Sequence, residues 1–141
     1  MLPEILRRIS FMSKREDIDL ITDIQEAIRR INSYIKMMSQ DDFFEDTKTQ
    51  DAVVRNLEIA GEAVKNLSED FKQKYPQIQW KQFAGLRDKL IHHYFGVNYD
   101  IVWHVVKNEL PDIIYQLNEI LSEEKKKDDT ENEKNKKTDT K

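Results

Sequence analysis

DIDLITDIQEAIRRINSYIKMMS, residues 17–39, is the stretch that decides the fold. Its apolar residues recur every three or four positions, which is the spacing of one face of an α-helix. Charged and polar residues occupy the other faces. The pattern predicts a long amphipathic helix from about Asp17 to Ser39. The face expected to be buried consists of Ile21, Ile24, Ile28, Ile31, Ile35 and Met38.

A second segment with helical periodicity follows, at about residues 49–70. Asp46 or Thr47 is a suitable N-cap, because a short polar side chain can accept a hydrogen bond from the first turn. Pro76 disfavours helical backbone at Tyr75 and should end the helical pattern there. The expected buried face consists of Val53, Leu57, Ala60, Gly61, Val64 and Leu67.

Two more helices complete the pattern. The third is predicted to begin near Trp80 and to end near Gly96, a common helix terminator. The fourth is predicted to start at Asn98 or Asp100, and Pro111 should kink or interrupt it. Their expected buried residues are Phe83, Leu86, Leu90 and Tyr94 in the third, and Ile101, Val102, Val105, Leu110, Ile113, Leu117 and Ile120 in the fourth.

The ends of the chain differ from this helical body. Residues 123–141 contain no apolar side chain and carry seven acidic and seven basic residues, which predicts a disordered low-complexity tail. Residues 1–15 are interpreted as an N-terminal extension, and Met12 is a plausible alternative start. The domain is therefore placed at residues 16–122. Four helices with short connections favour an all-α, up-and-down antiparallel four-helix bundle.

Composition excludes several classes of protein. The 141-residue chain has no cysteine, which rules out disulfides and thiolate zinc sites. No apolar run approaches the roughly 20 residues that a membrane span needs, so we expect a cytoplasmic protein without a membrane partner. The formal charge is −4, which argues against a nucleic-acid binder that relies on bulk electrostatic attraction.

RDKLIHHYFG, residues 87–96, concentrates the side chains suited to chemistry. Arg87 supplies a permanent cation whose forked donors fit phosphate oxygens. Two of the three histidines, His92 and His93, lie here, and imidazole can transfer protons near neutral pH. A guanidinium and an imidazole are the minimum equipment for cleaving a phosphodiester without a metal.

The spacing constrains how these groups could meet. On an ideal helix Arg87 and Tyr94 lie about 20° apart, whereas His92 lies about 140° from Arg87. Arg87 and His92 of one unbroken helix therefore do not converge easily on one atom. Either the helix loosens before Gly96, or two chains form a shared cleft, and we favour the second arrangement.

Simpler interpretations remain open at this stage. An arginine and two histidines at a helix end can pair with carboxylates or interact with the helix dipole. No metal site is expected, because adjacent histidines point to different faces of a helix. Arg55 could orient the motif or bind phosphate, or it could form an ion pair with Glu62. His104 is expected on a helix surface.

RNLEIAGEAVKNLSEDFKQKYPQIQWKQFAGLRDKLIHHYFGVNYDIVWHVVKNELP, residues 55–111, resembles the HepT-like branch of the HEPN superfamily. The resemblance lies in the RNLEIAGEA helix, a Tyr-Pro-x-Ile-x-Trp turn, and Arg-x4-His-x-Tyr followed by Phe-Gly-Val and Val-Trp. It extends over roughly residues 17–120. These proteins are the toxins of type VII HEPN–MNT toxin–antitoxin pairs.

The resemblance implies a dimer that brings two Arg-x4-His motifs into one cleft and acts as an endoribonuclease without metal or other cofactor. It places Arg87 and His92 as catalytic residues. It also implies a nucleotidyltransferase antitoxin that adenylylates Tyr94. Many HEPN proteins have Asn after the motif Arg, whereas this chain has Asp88, whose carboxylate would repel phosphate.

Two alternatives belong to other functional classes. The chain could be a non-catalytic HEPN helical module that holds a nucleotide or serves as a partner subunit of a nucleotidyltransferase. It could also be a dimeric helical adaptor. An intact pair of Arg87 and His92 favours the ribonuclease, because a binding module has no need of a titratable base.

Overall fold

Helices make up all of the secondary structure in the part of the chain that the structure describes. The computed structural model describes residues 2–91 and 96–138, with all their side chains except those of residues 2–15, 87, 89 and 91. The predicted all-α class is confirmed. The elements are α1 (Leu2–Ile35), α2 (Gln40–Glu45), α3 (Thr47–Asn66), α4 (Glu69–Lys74), α5 (Trp80–Ile91), α6 (Tyr99–His104), a π-helical turn (Val105–Glu109) and α7 (Leu110–Thr138).

Helix α1 contains the predicted isoleucine stripe. Its five isoleucines, Ile21, Ile24, Ile28, Ile31 and Ile35, are at most 3% exposed. The helix differs from the prediction at both ends, because it begins at Leu2 and ends at Ile35. Residues 2–15, interpreted from the sequence as part of a separate N-terminal extension, therefore form the first part of α1.

A short helix that the sequence pattern missed separates α1 from α3. Ser39 caps α2 in a capping box, in which its hydroxyl accepts from the Asp42 amide and the Asp42 carboxylate accepts from the Ser39 amide. Asp46 then caps α3 by accepting from the Thr49 amide, as predicted. All six predicted residues of the α3 face are buried, and α3 packs extensively on both α1 and α5.

The predicted second helix is divided into α3 and α4. Ser68 causes the division, since its hydroxyl accepts from the Phe71 amide and starts a new helix. The Asp17 carboxylate accepts hydrogen bonds from the Ser68 amide and hydroxyl, at 2.8 and 2.6 Å. A buried side chain of α1 thus fixes where α4 begins.

Pro111 coincides with an interruption of the predicted fourth helix, as expected. The chain widens into the π-helical turn just before it, where the Leu110 amide donates to the Val105 carbonyl five residues earlier. Proline has no amide hydrogen to continue the α-helical ladder, and a widened turn accommodates that loss. The predicted fourth helix is therefore α6, the π-helical turn and α7.

The prediction of a disordered tail that buries nothing is wrong for the described residues. Helix α7 continues to Thr138, and Glu124 within the predicted tail is only 2% exposed. Lysine and glutamate are good helix formers, so a segment without apolar residues can still extend a helix that is anchored at its base. Glu124 is that anchor, because it accepts hydrogen bonds from Lys74 and Tyr75.

One contiguous core joins these helices. It is formed by the faces of α1, α3, α5, α6 and α7, with Phe43 of α2 packed against Trp103 and Tyr99 at 5.2 and 6.2 Å between ring centroids. Ile101, predicted to be buried, is 44% exposed. The up-and-down antiparallel topology and the dimer stay predictions.

Candidate functional site

Helix α5 carries the first part of the Arg87–Gly96 motif, and aromatic residues fix its start. The Trp80 indole donates a hydrogen bond to the Tyr75 carbonyl at 2.9 Å, across the turn that contains Pro76. Phe71 lies against both rings, at centroid distances of 5.0 Å from Tyr75 and 6.3 Å from Trp80. The Tyr-Pro-x-Ile-x-Trp turn thus orients the helix that leads to Arg87.

Core contacts then hold α5 along its length. Phe83 and Leu90 are 5% and 3% exposed, and α5 packs against α3. The backbone of Arg87 lies in this helix, three residues before Leu90. His92 and Tyr94 lie outside the described residues, as do His93 and Phe95, and the Arg87 side chain is also undescribed. Whether Arg87 and His92 converge therefore stays a prediction.

The chain is anchored again directly after the motif. Gly96 has φ +92°, in the left-handed region that residues with a Cβ rarely adopt. Val97 packs against the core, and the Asn98 side chain caps α6 by accepting from the Asp100 and Ile101 amides. The chain is thus fixed to the body from Gly96 onward.

Asp88, the residue that follows Arg87, has a cationic partner. The Lys65 ammonium lies 3.2 Å from its carboxylate, bridging from α3 to α5. Both side chains are partly exposed, so solvent screens the pair. The pair still reduces the repulsion that this carboxylate would exert on a phosphate. Sequence reasoning missed Lys65 because the two residues are neighbours only across the helix interface.

Arg55 lies in an acidic environment. Its guanidinium is 3.6 Å from Glu58, one turn along α3, instead of the predicted Glu62. The groove of about 320 Å³ that it lines also contains Asp23, Glu58 and Glu62. Carboxylates around an exposed arginine disfavour an additional anion, so the geometry favours the ion-pair interpretation over phosphate binding.

His104 is on the protein surface, as predicted. Its Nδ1 lies 2.9 Å from the Asn108 amide nitrogen, and it lines a groove of about 550 Å³ between α5 and the α6–α7 region. Leu86 and Phe83 of α5 line the same groove. His104 therefore faces α5 from the side of the groove, on a different element from the motif.

Glu124 is a buried carboxylate that lies in a network of polar side chains. Burial alone raises the pKa of its carboxyl, but the hydrogen bonds from Lys74 and Tyr75 outweigh burial and hold that pKa below its usual value. Burial and the Glu124 carboxylate raise the pKa of Tyr75 to about 12. The sequence contained a signal for this site, since position 124 continues the buried spacing of Leu117 and Ile120.

Two further features are absent from the described residues. No group of three or more histidine, aspartate and glutamate side chains is arranged to hold a metal ion among them. No helix in the same part of the chain is both long enough and apolar enough to span a bilayer.

Comparison with known proteins agrees with the motif. Residues 24–120 match the family described as ribonuclease HepT-like. A putative RNase of Methanocaldococcus jannaschii is 50% identical over 112 residues, which is 79% of this chain and 93% of that protein. A probable ribonuclease HepT of Thermococcus cleftensis is 47% identical over 100 residues, or 71% and 91% of the two chains.

A putative RNase of Caldanaerobacter subterraneus is 50% identical over 91 residues, which is 64% of this chain and 81% of that protein. No solved structure matches the chain significantly. The family match spans α5 and the whole Arg87–Gly96 motif, and the relatives are covered over most of their length. The chain therefore belongs to the HepT-like ribonuclease family.

Proposed function

We propose that this chain is an endoribonuclease that cleaves RNA without a metal ion, using Arg87 and His92. The observation that carries the proposal is an intact Arg-x4-His-x-Tyr motif at the end of a firmly anchored helix, in a chain that is about half identical to proteins named as ribonucleases. The relatives' names support RNA as the substrate.

The chemistry follows from the two side chains. His92 takes the proton from a ribose 2′-hydroxyl, and that oxygen attacks the adjacent phosphorus. Arg87 stabilises the charge that develops on the phosphorane oxygens. The bond from phosphorus to the 5′-oxygen of the next nucleotide breaks, that oxygen takes a proton from the protonated His92 or from water, and the other product ends in a 2′,3′-cyclic phosphate. DNA lacks the 2′-hydroxyl and is not a substrate.

The cleavage assay has a matched control in the neighbouring histidine. In EDTA, His92→Ala should lower the rate by about 10²–10⁴-fold, the usual value of a positioned acid–base group. His93→Ala should cleave at nearly the wild-type rate. Circular dichroism checks that both variants keep their helices. A His92→Ala protein that cleaves as fast as wild type contradicts the assignment of His92. A wild-type protein that does not cleave RNA favours the non-catalytic HEPN module.

The product provides an independent test of mechanism. Mass spectrometry of a cleaved oligoribonucleotide should show a 2′,3′-cyclic phosphate end, and an oligonucleotide with a 2′-deoxy sugar at the cleavage position should remain intact. Cleavage of that deoxy substrate would contradict attack by the 2′-hydroxyl.

We further propose that the chain is the toxin of a HEPN–MNT pair in the cytoplasm. A nucleotidyltransferase antitoxin would transfer AMP from ATP to the Tyr94 hydroxyl, releasing pyrophosphate. If the helix continues to Tyr94, Tyr94 and Arg87 lie on nearly the same face. The phosphate of the added AMP would then pair with the Arg87 guanidinium, which the RNA substrate needs. The modified protein would be unable to bind RNA productively.

Co-expression tests this regulation. Expression of the chain alone should arrest growth, and Arg87→Ala should relieve the arrest. Expression with the nucleotidyltransferase should add the mass of one AMP to the wild-type chain and none to Tyr94→Phe. Growth rescue without any mass increase would instead indicate neutralisation by masking.

A further inference from the structure

The net negative charge of the chain opposes the binding of RNA. Residues 16–122 contain 12 lysines and arginines against 19 aspartates and glutamates. RNA is a polyanion, and its association depends on cations that neutralise phosphates. The body as a whole repels the proposed substrate, so binding requires a local surface where the charge balance is reversed.

One groove on the described surface has that reversed balance. It lies where α3, α4 and α5 meet, has a volume of about 660 Å³, and is lined by three lysines and a single carboxylate, that of Glu69. We call it the lysine groove, after Lys65, Lys72 and Lys81. The remaining polar lining is Gln73, Gln79 and Gln82, whose amides can hydrogen-bond to phosphate and ribose oxygens.

Other grooves on the described surface have the opposite charge. The groove around Arg55 contains three carboxylates, and the groove beside His104 contains Glu109 and Asp112 without a lysine or arginine. A groove between α1 and α7 has two carboxylates and one lysine, and another beside α2 has three carboxylates and no cation. The lysine groove is the exception among these five.

Two of the three lysines, Lys72 and Lys81, can present their charge to a ligand, whereas Lys65 is paired with Asp88. Lys81 is exposed on the first turn of α5. The Lys72 ammonium is 3.6 Å from Glu69, and because the Glu69 side chain is 81% exposed, solvent screens this pair and makes it weak. The stem of Lys72 is held against the body, since that side chain is only 18% exposed. Its charge is therefore positioned without being neutralised in a buried pair.

The groove also leads toward the motif. Lys81 and Asp88 are seven residues apart on α5, which places them on one face of the helix. Lys65 of the groove is the residue that contacts Asp88, next to Arg87 in the chain. A strand lying along the three lysines would thus approach the helix turn from which the motif begins.

We propose that the lysine groove binds the phosphate backbone of single-stranded RNA and guides the strand to Arg87 and His92. This inference rests on the proposed ribonuclease function and adds a substrate-binding surface to it. Asp88 acts against binding, because its carboxylate engages Lys65 and adds a negative charge at the end of the groove nearest the motif.

The test is the affinity for a fluorescently labelled 20-nucleotide oligouridine, measured by anisotropy in EDTA at several KCl concentrations. Every protein carries His92→Ala, so that the probe stays intact. Lys72→Gln with Lys81→Gln should weaken binding about 10-fold or more near 0.1 M salt and reduce the salt slope by about 1.4, the value for two phosphate contacts on a single strand.

Two further variants make the test specific. Lys48→Gln, an exposed lysine at the opposite end of α3, should leave affinity and slope unchanged. Asp88→Asn should strengthen binding several-fold, because it removes a negative charge and releases Lys65. A loss of folding cannot produce tighter binding, so this variant separates electrostatics from structural damage.

The outcomes distinguish this inference from the ribonuclease proposal. If the double lysine variant binds RNA as tightly as the Lys48→Gln control, the groove is not the RNA-binding surface. This holds even when the wild-type chain cleaves RNA. If the wild-type chain fails to cleave RNA but the lysines control RNA affinity, RNA binding by the groove is supported and the ribonuclease proposal is contradicted. If the lysine variants lose a nucleotidyltransferase partner while keeping RNA affinity, the groove is a protein interface and the inference is wrong.

Discussion

Glu124 shows how a single residue fixes the relation between two helices. Its carboxylate lies at the base of the exposed part of α7 and accepts hydrogen bonds from Lys74 and Tyr75, at the end of α4. A buried charge is costly unless it is paired and hydrogen-bonded, and removing one partner exposes that cost. The cluster therefore joins α7 to the turn that also positions Trp80 and α5.

Replacing the phenol tests this contact. Tyr75→Phe removes a hydrogen bond to a buried charge while preserving the ring, so the free energy of unfolding should fall by about 1.5–3 kcal/mol. Tyr115→Phe is the matched control, since Tyr115 is 64% exposed, and its effect should stay within about 0.5 kcal/mol. Urea denaturation at pH 7 measures both. Equal effects would mean that Glu124 does not depend on Tyr75.

The same cluster predicts a pH dependence. The pKa of Glu124 is lower in the folded protein than its usual value, so its stabilising contribution is present above about pH 4.5 and is lost as pH falls through the folded pKa. The pKa of Tyr75 is raised to about 12, so its contribution is present below about pH 10 and disappears as pH rises toward 12.

Thermal unfolding between pH 3 and pH 7 would measure the acid part of this dependence. Glu124→Gln should lose less stability on acidification than the wild type, because an amide does not titrate. Asp41→Asn is a control with an exposed carboxylate and should retain the wild-type profile. Parallel profiles for wild type and Glu124→Gln would contradict the assignment.

At the scale of elements, caps decide where helices begin. Asp46 accepts from both the amide and the hydroxyl of Thr49, at 3.0 and 2.8 Å, and so starts α3, the helix that packs on both α1 and α5. Asp46→Ala should lower the free energy of unfolding by about 1 kcal/mol, the usual cost of an N-cap. Asp46→Asn keeps an acceptor and should lose much less. Equal losses, measured by urea denaturation, would show that the cap is not what matters.

Local sequence patterns predicted the elements whose causes are local. The isoleucines of α1, the Asp46 cap and the start of α5 at Trp80 each depend on spacing or on one nearby side chain, and all three are confirmed. The division at Ser68 depends on Asp17, 51 residues away, and the extent of α7 depends on its anchor at Glu124. Periodicity within one segment carries no information about such partners.

The same distinction between local and long-range causes applies to the candidate site. The motif itself was visible in the sequence because Arg87 and His92 are a fixed five residues apart. The Lys65–Asp88 pair and the lysine groove were not visible, since they are formed by α3, α4 and α5 together. A charge surface of this kind appears only when helices from different parts of the chain are packed.

At the scale of the whole molecule, the helical geometry limits how Arg87 and His92 could act together, as we propose. An unbroken helix separates them by about 140°, and α5 is regular up to Ile91. A twofold dimer resolves this conflict if the Arg87 of one chain meets the His92 of its partner. The dimer would also bring two lysine grooves to one assembly and so increase the local positive charge.

Complementation between two inactive variants tests that arrangement. Arg87→Ala and His92→Ala are co-expressed with different affinity tags, and the mixed dimer is isolated through both tags. If the reacting pair crosses the twofold axis, each mixed dimer holds one intact pair out of two and should cleave RNA at about half the wild-type rate. Each variant alone should be inactive. A mixed dimer as inactive as its parents would place Arg87 and His92 of one chain in the same site, and recovery of no mixed species would contradict dimerisation itself.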